Sequence, residues 1–564
     1  MRARASSTAA CERDLEPTPH LAACALCRTK HEVTTTWCMR TRGVYLVSTV
    51  ARRAHERAKG RAMAHDGTAW WTRKTVLARS ASTTTTATSP PSADDEIAAN
   101  DAKARLQSSV LATFGAWFAS RGGATHSCLR MTFRPNSGWS LEADSAIGKG
   151  EQLVKLPKKL MLSCDGEDVS APLREVMSRV PSDLWSSKLG LLLVRERIAA
   201  QHSLFAPYIT LLPSVHEGNP LFFQHDAVVD LQYAPLVAQI RKRSKFLVQL
   251  VGRGATVDDG EDFVNAEHPE RRRVVMEVDA NALGWASACA SSRAFKVRGP
   301  TSTPSMLPVI DVCNHSFTPS AAVRLLESGD GDVELVATRD LDAGEAIELN
   351  YGNLSNDELL LDYGFIIENN PHDVVKLRWD LKLIELAREI GGLATAPIGA
   401  QAAEESLKGT TVNVDDVMQI TSWQHAALQR IGLVGDASNV ELDIHAHGVD
   451  KKLLAGLRVL YSKSPTEASR AADAPYGEIG ASVVFPDTEI KALRCCMSLA
   501  ALALGNFQTT LEEDKRILEE CSSANAQAMK TKQQVLAIRF RVEKKKILSG
   551  AMAKLNEAIA REQK

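Results

Sequence analysis

Long apolar runs are missing from this chain. Its best candidates, around Leu189–Val194 and Cys495–Leu504, fall well short of the roughly 18 consecutive apolar residues a membrane helix requires, so no membrane partner is expected. Net charge is missing too: 67 Lys and Arg stand against 68 Asp and Glu. No chain-wide field draws the protein to nucleic acid, and recognition must be local. The 11 cysteines are odd in number and thinly spread over 564 residues, which excludes a disulfide scaffold and suits a reducing compartment. Cys24, Cys27, His31 and Cys38 have spacings a zinc site could use. Their surroundings lack the apolar residues a metal mini-fold packs, so no metal is expected. The common catalytic templates are also absent: there is no G-x-S-x-G elbow, no H-E-x-x-H, no Walker lysine loop and no G-x-G-x-x-G opening a helix.

What is present falls into three regions. Residues 1–95 are rich in Arg, Ala, Ser and Thr, with fifteen Lys/Arg against six Asp/Glu before Asp94. They read as a disordered extension of transit-segment character, with Ser80–Asp95 as a linker, and suggest a chloroplast protein, a cytoplasmic one being the alternative. Residues 105–370 read as a mixed globular domain. Val110, Phe114, Trp117 and Phe118 recur at helical spacing and stop before Gly122-Gly123. Gly138–Ser163 alternates around Gly148-Lys149-Gly150 and predicts a β-hairpin. Helices follow through Tyr233–Val251 and Glu277–Phe295, and strands are expected at Met306–Val312, Ala321–Leu326, Val333–Ala337 and Ala346–Asn350. Residues 371–564 read as helical. A Thr-x-x-Glu capping box opens "TTLEEDKRIL", and the last helix carries Lys544–Lys546 on what reads as a solvated basic face.

The chemistry concentrates in an ordered set: "GWSLEA", "SRAF", "DVCNHS", "ELNYG" and "LLLDYGF". Taken singly, an Asn-His at a strand end is a turn-former and a tyrosine is core. In this order and spacing the set resembles the SET-domain methyltransferases, in the branch of the plant Rubisco large-subunit lysine methyltransferase. The resemblance runs from about Val110 to the C-terminus. It implies an α+β fold: a β-rich SET domain with a pseudoknot and a helical insert (about 170–280), then an all-α C-terminal substrate-binding domain.

The resemblance further implies a protein-lysine N-methyltransferase using S-adenosyl-L-methionine on a non-histone protein, such as the Rubisco large subunit or an aldolase, docked on the C-terminal domain. Asn314 and His315 would bind the cofactor. Ser137 and Trp139 would grip its amino-acid end, and Arg293 would lie near its carboxylate. Asp311 would support the Asn-His turn. Tyr351 would stand beside the methyl group as the catalytic residue, and Phe295 and Tyr363 would line the target pocket. Ser140 departs from the family, which has glycine there, and raises the question of backbone freedom. Two alternatives are a histidine methyltransferase of the same fold, against which Tyr363 speaks, and a SET-fold binding protein without turnover.

Overall fold

The computed structural model describes residues 93–563 apart from 135–137, 167–168, 252–254, 264–271, 298, 300–301, 327–330, 394–410, 415–417, 435–439, 474–484 and 523–529. Ser137 and the Cys24, Cys27, His31, Cys38 set lie outside the described residues. Among the described residues no helix is long and apolar enough to cross a membrane.

The first helix spans Ala93–Ser120, so it starts within the stretch expected as linker. It buries Phe114, Trp117 and Phe118 and stops where Gly122 takes a left-handed φ of 86°. Two four-stranded sheets follow. One orders Ala124–Thr125, Gln152–Leu156, Val333–Ala337 and Ala321–Leu325. The other orders Asn314–His315, Ala346–Leu349, Gly138–Ala143 and Leu129–Arg134.

This arrangement corrects the expected hairpin. Gly138–Ala143 and Gln152–Leu156 do not pair with each other but belong to different sheets. The turn between them steps across: Ile147 and Leu341 exchange backbone bonds at 3.0 and 2.9 Å, and the Gly150 amide donates to Ala337 at 2.9 Å. Alternation identifies a half-buried strand but carries no information about its partner. The strand expected at Met306–Val312 is also corrected. Only Ser305–Met306 pairs, Val309 turns with φ 74°, and Ile310–Val312 form a 3₁₀ turn. The run is apolar because it is wholly buried, which strands and turns share.

The insert is mainly helical, and the helical expectation is corrected at its end: Ala255–Phe263 pairs antiparallel with Arg272–Val278, so the helix expected from Glu277 starts at Ala280. Trp185–Ala199 lies against Ala280–Arg293, whose small residues let the two backbones approach closely. A Cβ built on Gly190 would come within 3.0 Å of the Ser287 amide nitrogen. The C-terminal region is mainly helical, ending in Lys532–Glu562. The expectation of an all-α domain there is corrected in one respect: Val375–Arg378, Glu441–His445 and Gly448–Val449 form a three-stranded sheet, and Thr411–Val414 pairs with Met418–Thr421. These short strands lie between helices and were masked by them in the sequence pattern.

The basic face of the last helix is corrected more sharply. Lys544 and Lys545 are both 0 % exposed. Lys545 reaches Asp514 at 2.5 Å and the Thr509 carbonyl at 2.6 Å, beside the reciprocal Thr510/Glu513 cap. Buried lysines survive only where carboxylates and carbonyls replace lost water, and that requirement is invisible in one helix's periodicity.

Candidate functional site

The strand pair that builds the site is parallel and very short. Asn314 lies opposite Glu348 and His315 opposite Leu349. The Ser316 amide extends the pairing to the Leu349 carbonyl at 2.9 Å. Ser320 locks the crossing from the side, its hydroxyl bonding the Ala346 carbonyl (3.1 Å) and the Glu348 amide (2.8 Å). The two motif segments therefore cross and end side by side, which sets polar residues at one mouth behind apolar walls.

Tyr351 leaves this crossing held at both ends. Its amide donates to His315 Nδ1 at 3.1 Å, and its hydroxyl donates to the Cys313 carbonyl at 2.5 Å. Its ring lies 5.2 Å from His315 and stacks on Tyr363 at 4.8 Å and 20°. Burial pushes the Tyr351 phenol well above its ordinary value. Tyr363 is raised to about 12, by burial first and then by the Asp362 and Glu358 carboxylates. Both phenols are thus neutral at physiological pH and keep their protons as hydrogen-bond donors.

His315 accepts through Nδ1, so its proton sits on Nε2. Burial holds its pKa below the usual histidine range. That Nε2 is buried and has no partner among the described residues. A second atom is only partly provided for: Asp311 Oδ1 is buried and accepts no hydrogen bond among the described residues, while Tyr208 donates to Oδ2 from 103 residues away. Arg293 donates to the Asp311 carbonyl at 3.0 Å and faces its carboxylate at 3.8 Å. Burial nevertheless dominates and raises the Asp311 carboxyl to about 6.

Tyr363 is presented by an unusual turn. Leu359–Tyr363 is a π-helix, a form frequent at functional sites. The Gly364 amide reaches back to Leu359 at 2.9 Å and Leu360 at 3.1 Å. Gly364 takes φ 81°, and a Cβ built on Gly218 would strike its carbonyl oxygen at 2.0 Å. Glycine is required at both positions.

Of the residues singled out in the sequence, Tyr351, Tyr363, Asn314 and His315 are brought together, with Asp311 and Arg293 beneath them. The Asp311 side chain is engaged by Tyr208 and Arg293. Phe295 pairs opposite Ser305 and, with Tyr351, is half-buried against the same core. Trp139 is half-buried, edge-on to Phe133 at 5.1 Å. Gly138 has φ 75°, whereas Ser140 takes no positive φ and bonds Thr132 at 3.0 Å. The serine therefore costs no strain. Tyr208 and Cys313 were not singled out. Tyr208 acts across the fold, and Cys313 contributes a backbone carbonyl, which no side-chain pattern reveals. A cavity of about 490 Å³ lined by Thr113, Arg197, Gln201 and Ile209 contains none of these site residues.

Comparison with known proteins agrees with this geometry. A SET domain model matches residues 138–352, and a Rubisco LSMT substrate-binding model matches 418–548. The chain thus carries a SET domain followed by a substrate-binding domain of the Rubisco LSMT kind. Within the SET match lie the crossing and Tyr351, while Lys544 falls within the second match. Curated relatives include the actin-histidine N-methyltransferases of Homo sapiens, 26 % identical over 461 residues, covering 79 % of this chain and 69 % of the relative. That of Gallus gallus is 25 % identical, covering 77 % and 67 %. Rubisco LSMT bound to AdoMet superposes with TM-score 0.55 at 19 % identity, covering 80 % of this chain and 93 % of that one. The SET domain of LSMT bound to lysine and AdoHcy gives TM-score 0.56 at 19 % identity, with 81 % and 92 % covered. The SET fold seen in the sheets and crossing is thus shared with solved structures.

Proposed function

We propose that this SET-domain protein is an S-adenosylmethionine-dependent protein N-methyltransferase whose acceptor is a lysine side chain. The observation that carries the reading is the crossing of Asn314–His315 with Glu348–Leu349, which sets Tyr351 face to face with Tyr363. The solved neighbours bound to AdoMet and AdoHcy support the cofactor. The residues present fit such a group: His315 Nε2 is a buried donor without a hydrogen-bond partner among the described residues, and Gly138 opens its strand with a backbone that admits close approach.

Asn314, His315 and the main chain beside Trp139 would hold the cofactor. When bound, it supplies a methyl group on a sulfonium. The chain's own contribution is alignment and desolvation. A lysine amine with an ordinary pKa near 10.4 costs roughly 3 kcal/mol to deprotonate at about pH 8, and an apolar, aromatic pocket lowers that cost by disfavouring the ammonium. The face of Tyr363 tolerates residual positive charge at the amine. The Tyr351 hydroxyl, anchored on the Cys313 carbonyl, fixes that ring against lateral movement. Holding donor and acceptor in line supplies much of the acceleration.

A histidine acceptor is the second reading, supported by the actin-histidine N-methyltransferases among the relatives. The stacked rings of Tyr351 and Tyr363 favour the first reading, since their faces suit a cationic aliphatic amine. Transfer of a labelled methyl group from S-adenosylmethionine to actin and to chloroplast stromal extract, followed by mass-spectrometric mapping, separates the two. Methyl-lysine on an extract protein is expected. Methyl-histidine would replace the first reading with the second, and no label in any extract would defeat both.

A further inference from the structure

The segment from Ser355 to Val374 carries Tyr363 near its middle and is closed at its base by a buried polar network. Asn356, 0 % exposed, receives Ile367 on its carbonyl oxygen at 2.9 Å and donates its side-chain amide to the Ile367 carbonyl and to Asp373, both at 3.0 Å. Asp373 also accepts the amides of Asn356 at 2.9 Å and Val374 at 3.0 Å. Lys544 enters this base from the far end of the chain. Its ammonium bonds Asp357, Asp373 at 2.7 Å and the Val374 carbonyl at 2.6 Å, between the rings of Tyr233 and Phe540.

Asp357 stands two residues before the π-turn that ends in Tyr363. Leu360 and Leu361 of that turn share an apolar cluster with Tyr233, Phe540, Ile547 and Leu548. The turn is also held by the insert and the helix after it: Asn219 donates to the Leu361 carbonyl at 3.2 Å, Arg243 bonds Asp362 at 2.5 Å, and Ser291 donates to the Asp362 carbonyl at 3.0 Å. A π-turn alone is a poor local minimum. It persists here between two clamps.

We propose that Lys544 is a positioning residue for the acceptor pocket: by tying Asp357 and Asp373 to the C-terminal helix it sets the Leu359–Tyr363 turn and thereby the stacking of Tyr363 on Tyr351. The C-terminal domain then completes the pocket as well as offering a docking surface. This rests on the methyltransferase reading for its kinetic consequence but not for its structural one.

The test uses the full chain with the Lys544→Met/Asp357→Asn pair, which keeps the cluster's net charge and leaves Asp373 its three N–H donors, alongside Lys544→Met alone. Hydrogen exchange is expected to quicken about tenfold or more at Leu359–Gly364 in the pair, with Ala346–Leu349 unchanged, because only the local clamp is released. Unchanged exchange at Leu359–Gly364 overturns the proposal whether or not the protein proves to be a methyltransferase. In kinetics, turnover should fall about tenfold with S-adenosylmethionine affinity, read by calorimetry, within about twofold. The penalty of Tyr363→Phe should shrink in the pair, since residues acting as a unit are non-additive. Additive penalties overturn it. Should the parent transfer no methyl group, the function falls while the exchange result still decides the clamp.

Discussion

Asp311 and Asp373 are both buried carboxylates, yet they are provided for very differently. Asp373 takes three N–H donors and the Lys544 ammonium. Asp311 takes the Tyr208 hydroxyl on one oxygen, and its other oxygen has only Arg293 across 3.8 Å and no hydrogen bond among the described residues. Buried polar groups are ordinarily satisfied, and the exceptions gather where something else binds or reacts. The saturated cluster therefore reads as scaffold. The unsaturated one, with the orphaned His315 Nε2 above it, reads as the site.

The sharpest way to break this contrast is to empty the scaffold cluster. Lys544→Met leaves Asp357 and Asp373 buried without a cation and should cost about 3–5 kcal/mol in urea unfolding. A loss below about 1 kcal/mol would mean that water already reaches the cluster. Next comes the pH response of the site cluster. Burial lifts the Asp311 carboxyl from 3.8 to about 6, so its contribution to stability is complete below the lower value and lost as pH rises through the upper one. Relative to Asp311→Asn, which can still accept from Tyr208, the parent should lose about 3 kcal/mol of stability between about pH 4 and 8. A flat difference across that range would show that Arg293 compensates the charge fully.

Tyr351→Phe removes the hydroxyl anchored on Cys313 and should lower methyl transfer on the order of a hundredfold, the scale of losing one preorganised polar group. Calorimetry should find cofactor affinity nearly intact. An equal loss of affinity and turnover would move Tyr351 from the reaction to cofactor binding. The smallest effect is expected at Ser140→Gly, which restores the family's residue. The strand already accepts serine without a positive φ, so the change should destabilise by about 1 kcal/mol or less, with cofactor affinity unaltered. A marked gain in affinity would show that the serine does obstruct the donor site.

Much of the site was legible along the chain because its residues come in ordered motifs whose spacing reflects local chemistry. "DVCNHS" and "ELNYGNLSNDELLLDYGF" placed Asn314, His315, Tyr351 and Tyr363, and the serine and asparagine of the latter proved to be a helix cap and the closure of the Tyr363 loop. The strands at Ala321–Leu325, Val333–Ala337 and Ala346–Leu349 followed from pattern. The pairing of Gly138–Ala143 was misread, because alternation is blind to the neighbouring strand. Tyr208 went unnoticed, since its partner Asp311 is 103 residues distant.

The chain's own pattern was enough to settle the fold class, the order of its parts and the polar residues set behind apolar runs, since burial periodicity and turn chemistry act over a few residues. Which strand lies beside which, that Lys544 and Lys545 are interior rather than solvated, and that the last helix grips the loop bearing Tyr363 were decided only once the chain was folded. Lys544 finds Asp357 and Asp373 across 187 and 171 residues and Lys545 finds Asp514 across 31, and partnerships beyond the reach of local periodicity exist only in three dimensions.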